Sequence, residues 1–142
     1  MLKLGISALA LFCAVAPASA DEVWTSKLGD IVYETDLTDG QMAVFKIEGA
    51  RVFLPGLAGV YEGRTSYDGF WIADEGHDFS TESCGVSMVQ PSFGDRSQQW
   101  GRFQVTFVDP DFPGIWVGHV SACFDDASDS VIARPLVGSE AE

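Results

Sequence analysis

Leu54–Gly76 reads LPGLAGVYEGRTSYDGFWIADEG, with five glycines and the aromatics Tyr61, Tyr67, Phe70 and Trp71, and Phe53 stands just upstream. Glycine reaches the positive φ values that tight bends need, and aromatic side chains carry large buried areas. Helical periodicity is absent. The stretch predicts short strands meeting at tight turns: Arg51 to Leu54 closed by Pro55-Gly56, then Gly59 to Glu62, a bend over Gly63 to Asp68, and Gly69 to Asp74.

Working upstream, Ile31 to Leu37 and Met42 to Glu48 both alternate, with Thr38-Asp39-Gly40 between them. That is a hairpin signal. A three-residue turn with Gly40 left-handed pairs Tyr33 with Phe45 and Ile31 with Ile47; a two-residue turn would set Tyr33 against Lys46 and mix charge into both faces. Because a one-residue slip exchanges the faces, the first register is predicted. Before this hairpin comes a polar entry containing Trp24.

Downstream, His77 to Ser83 reads as a loop and Gly85 to Val89 as a strand stopped near Pro91. Ser92 to Gln99 is uniformly polar and predicts a mobile surface connection. Arg102 to Val108 alternates cleanly, with Phe103, Val105 and Phe107 on one face. After the turn cluster Asp109 to Gly114, Ile115 to Phe124 reads as a central strand. Val131 to Val137 contains Pro135 and is therefore placed at a sheet edge. Eight or nine such strands without a helix predict an all-β fold, a single small antiparallel β-barrel or sandwich with one disulfide.

The ends bound the compartment. Lys3, the apolar run Leu9 to Val15 and Ala18-Ser19-Ala20 read as a cleaved signal peptide over residues 1–20, leaving 21–142 as one β domain in the periplasm or outside the cell. No later run is long enough to span a bilayer. Without Lys3, seven basic residues face twenty-one acidic ones, a formal charge of −14. Such a field repels nucleic acid and anionic lipid and attracts a cationic protein. Cleavage also removes Cys13, so Cys84 and Cys123 are expected to pair in an oxidising compartment.

Motifs for chemistry are sparse. No Gly-x-Ser-x-Gly elbow, Ser-x-x-Lys or His-Glu-x-x-His is present, and no cofactor fingerprint. Asp74, His77 and Asp78 could offer metal ligands from one loop, but no second ligand cluster accompanies them and no metal site is assigned. Glu62 with Asp74 could form a carboxylate dyad only if the fold brought them together. His119 reads as a hydrogen-bonded structural imidazole. Tyr61, Tyr67 and the tryptophans could line a cavity if the sheet closes; Trp100, beside the polar connection, is the expected exposed contact.

Ala58-Gly59-Val60-Tyr61, Tyr67, Phe70-Trp71 and Glu75-Gly76, behind the hairpin Ile31 to Ile47, resemble the MliC/PliC family of periplasmic inhibitors of c-type lysozyme. The resemblance implies a small barrel whose Ala58 to Tyr61 loop enters the cleft of a lysozyme. Ala58 stands where that family carries its inserting serine, and Ala73 or Asp74 where its second motif carries lysine. The expectation is an exported binding or interaction module without catalytic activity. Its contacts would come from Ala58, Gly59, Tyr61, Tyr67 and Trp100. Inhibition of a lysozyme-type cationic enzyme is the alternative, and a metal protein or hydrolase using Asp74, His77 and Asp78 the third reading.

Overall fold

The computed structural model describes residues 22–38, 41–111, 114–126 and 129–136. Residues 1–21, where the signal peptide is expected, Asp39-Gly40 of the first turn, Phe112-Pro113, residues 127–128 and the acidic tail beyond Leu136 lie outside the described residues. Eight strands close a barrel: β1 (Val23–Ser26), β2 (Gly29–Leu37), β3 (Met42–Ile47), β4 (Ala50–Pro55), β5 (Ser66–Ala73), β8 (Trp100–Phe107), β9 (Trp116–Val120) and β10 (Asp129–Pro135). Their order around the barrel is β1-β10-β9-β8-β5-β4-β3-β2, every pair antiparallel, so the chain runs up and down with one excursion between β5 and β8. Within that excursion β6 (Met88–Val89) and β7 (Arg96–Ser97) form a separate two-stranded ribbon. The fold is the barrel of the two alternatives.

The hairpin register holds by a different route. Tyr33 does pair with Phe45, but the turn flank is Leu37 opposite Met42, one residue longer than predicted. A bulge between Tyr33 and Thr35 absorbs the extra residue, and bulged Glu34 reaches Arg51 through two hydrogen bonds of 2.9 and 3.2 Å.

Alternation places Trp24, Phe45, Trp71, Phe103 and Trp116 inside the barrel, where tilted and edge-on ring pairs fill the lumen. Trp24 Nε1 donates to the Gly114 carbonyl at one end and Trp71 Nε1 to the Ser121 carbonyl at the other, 2.9 and 2.8 Å. The lumen is thus a packed core instead of a ligand cavity. Trp24, read as part of a polar entry, is a core residue of β1.

A second core lies outside the wall. Val44, Phe53, Ile72 and Trp100 are the outward neighbours of inward residues on β3, β4, β5 and β8; the excursion covers them with Phe93 and Cys84, and Cys123 packs against them from beyond β9. The disulfide Cys84–Cys123 ties this cover to the chain after β9. Gln90, 1% exposed, pins it to the wall, donating to the Ile72 carbonyl at 3.0 Å and to Asp74 at 2.9 Å.

Several boundaries differ from expectation. Gly59 to Glu62 is not a strand: Leu57 and Val60 N–H groups bond to carbonyls three residues back, Gly59 and Gly63 have positive φ, and Leu57 is fully buried. Gly85 to Val89 contributes only β6. Ser92 to Gln99, predicted as a mobile connection, is the turn and second strand of the ribbon, held by Gln90 N–H to the Asp95 carbonyl and Cys84 N–H to the Gln98 carbonyl. The central strand Ile115 to Phe124 stops at Val120, after which Cys123 takes a φ of 56° and turns the chain toward the disulfide. β10 is no edge strand, because closure pairs it with β9 and β1; Pro135 is tolerated as its last residue.

Candidate binding surface

One end of the barrel gathers the connection from β2 to β3, the loop 56–65 and the turn after β8. Arg64 organises it. Its side chain is fully buried and forks onto Glu22, with Nη1 and Nη2 donating to the two carboxylate oxygens at 2.9 and 2.7 Å. Nε donates to the Val60 carbonyl at 2.7 Å, and the backbone N–H of Arg64 to the Pro110 carbonyl at 3.0 Å. The guanidinium also lies over the rings of Phe107 and Tyr61, 5.0 and 5.6 Å from their centroids. One buried cation therefore holds the loop, the strand entry and the neighbouring turn together.

Asp36 fixes the tip. It accepts hydrogen bonds from the Gly59 N–H at 3.2 Å and from the Tyr33 hydroxyl. Burial, then the hydrogen bond to Asp36 and the charge of that carboxylate, pushes the Tyr33 phenol far above its ordinary value, so it serves as a neutral donor. Ala58 N–H donates to the Gln41 carbonyl, and Gly63 N–H to Asp111. The result is a tethered loop on which Tyr61 stands 55% exposed. Val108 and Ile115 are exposed on the adjacent turn, joined by the Val108 N–H to Ile115 carbonyl bond. Exposed Asp36, Glu62, Asp109 and Asp111 flank these apolar groups, while the described loops of this end carry one cation, Arg64, whose charge Glu22 already meets.

Of the predicted contacts, Ala58, Gly59 and Tyr61 come together here. Tyr67 lies half-buried at the base, edge-on to Phe107 at 6.1 Å. Trp100 does not join them. It is 4% exposed in the outer core, and its Nε1 donates to the Val86 carbonyl. It starts the strand that Phe107 ends, roughly 23 Å away at the rise of an antiparallel strand. Arg64 was the residue missed; its signal was a lone cation inside a glycine-aromatic stretch of an acidic chain.

The alternative acidic constellation is dispersed. Asp74 is taken by Lys46, Gln90 and Arg51, the last at 3.5 Å. Asp78 accepts from Gln99 at 3.3 Å, and the His77 ring lies beside Gly49. Among the described residues no group of three or more His, Cys, Asp or Glu side chains is disposed to hold a metal ion. Glu62 and Asp74 flank opposite ends of β5, too far apart for a carboxylate dyad. No described helix is long and apolar enough to cross a membrane.

The geometry defines a small closed antiparallel barrel with a disulfide-tied outer cover and a braced, acidic, aromatic-tipped end. No family model, curated protein or solved structure matches the chain.

Proposed function

We propose that this chain is an exported, non-catalytic binding module whose loop end, centred on Tyr61, docks onto a cationic protein. The observation that carries this reading is the exposed Tyr61 on a loop held by the buried Arg64–Glu22 pair. A contact aromatic on a braced loop loses little conformational entropy on binding. The surrounding acids would steer a cationic partner and set a salt-dependent association rate.

A second reading, inhibition of a lysozyme-type enzyme, is favoured by the likeness of Ala58 to Tyr61 to the inhibitor loop and by the position of that loop at the barrel rim. One experiment addresses both. Residues 21–142, disulfide formed, are immobilised and exposed to a c-type lysozyme and to cytochrome c at low and moderate salt, with Tyr61→Ala alongside. Binding that weakens as salt rises and falls about tenfold or more in Tyr61→Ala is expected, as for a central aromatic anchor. Loss of lysozyme activity in the complex selects the inhibitor reading, and retained activity selects the simple docking module. Failure of both cationic proteins to bind at low salt counts against the charge-guided partner, and binding indifferent to Tyr61→Ala removes the loop end as its site.

A further inference from the structure

On the outer wall, away from the loop end and bordering the covered outer core at Phe70, β5, β8 and β9 bound a cleft of about 520 Å³ lined by Asp68, Phe70, Arg102, Gln104 and His119. Register explains the grouping: Asp68 stands opposite Gln104, Gln104 opposite His119, and Phe70 opposite Arg102, so these side chains share the outward face. We propose that this cleft is a binding site for a neutral saccharide.

The four polar side chains supply what a polyol needs. Asp68 accepts, Arg102 donates, and Gln104 and His119 each offer both functions. None makes a side-chain hydrogen bond to a described residue; Arg102 is held through its backbone, its N–H donating to Ser121 Oγ at 3.3 Å and its carbonyl accepting from the Ser121 N–H at 3.1 Å. Their bonding capacity is thus free for a ligand. His119 is accordingly no structurally bonded imidazole. Neighbouring strands are spaced about 4.8 Å apart, comparable to the span across a pyranose ring, so side chains on three strands can reach different hydroxyls of one sugar. One aromatic ring on the outward face, Phe70, lines the site, and a second, Phe124, stands beside its Arg102. Phe70 is stacked on Phe53 at 5.3 Å and so held rigid, and Phe124, 72% exposed, lies 6.0 Å from the Arg102 guanidinium. They offer apolar faces to the C–H side of a sugar ring. Charge selects the class: Asp68 and Arg102 offset one another, and the acidic chain disfavours an anion.

The test is titration of the isotopically labelled protein with maltotriose, cellotriose and chitotriose, followed by NMR at the His119 ring and Gln104 side-chain amide. Glycylglycine serves as a zwitterionic control. Saturable shifts at both groups with at least one sugar, weakened tenfold or more in Gln104→Ala and in His119→Ala, are expected. Both variants should keep the wild-type amide spectrum elsewhere, because the two side chains face outward. No shift at 20 mM of any sugar, shifts produced only by glycylglycine, or sugar shifts unchanged in both variants would each overturn the assignment.

Discussion

Arg64 and Glu22, 42 residues apart in the chain, meet as a forked ion pair with side chains 0% and 6% exposed. The pair joins the loop 56–65 to the entry of the first strand at one end of the closed barrel. Removing one partner strands a charge in a site that water barely reaches. Arg64→Met is expected to lose about 3–5 kcal/mol in urea denaturation, and Glu22→Gln a similar amount. The double variant should lose less than the sum, since no lone charge remains. Full additivity would mean that the two side chains act independently.

Asp74 predicts an acid-sensitive increment of stability. Burial would raise its pKa, but hydrogen bonds from Lys46 and Gln90 and the charges of Lys46 and Arg51 outweigh it, holding the carboxyl below its ordinary 3.8. A depressed folded pKa stabilises above the unfolded value and is lost as pH falls through the folded one. Asp74→Asn is expected to be about 1–2 kcal/mol less stable than wild type at pH 7, with the gap closing below about pH 4. A gap independent of pH would show that the ion cluster contributes nothing through this charge.

The disulfide joins cysteines 39 positions apart and fastens the outer cover. Chain-entropy arguments put its stabilisation near 4 kcal/mol at most. Replacing both cysteines with serine should therefore lose about 2–4 kcal/mol, and limited proteolysis should cut first between residues 80 and 98. First cleavage elsewhere would mean that the ribbon is held chiefly by Gln90 and Phe93.

Two buried tryptophans differ in one bond. Trp71 Nε1 donates to the Ser121 carbonyl, whereas Trp116 Nε1 is buried without a hydrogen-bond partner among the described residues. Replacement by phenylalanine removes ring volume at both positions, but only Trp71→Phe also orphans a carbonyl. We expect Trp71→Phe to be about 1–2 kcal/mol more destabilising than Trp116→Phe in calorimetry or urea melts. Equal losses would imply that the Trp71 bond adds nothing beyond packing.

The amino-acid sequence alone determined that the chain is all-β, that Cys84 pairs with Cys123, and that Tyr33 faces Phe45, because strand alternation, turn residues and cysteine number are local or countable properties. It also contained a signal of two-sided burial: Ala43–Phe45, Val52–Leu54 and Trp71–Ala73 are continuous apolar runs, as expected of strands covered on both faces. Only the tertiary structure decided closure over an open sandwich, the burial of Trp100 under an outer cover, and the gathering of Asp68, Gln104 and His119 from three strands. It also decided that Arg64 spends its charge on Glu22. These are contacts between residues tens of positions apart. Each depends on which strands become neighbours around the ring, and no period or spacing along the chain encodes that choice.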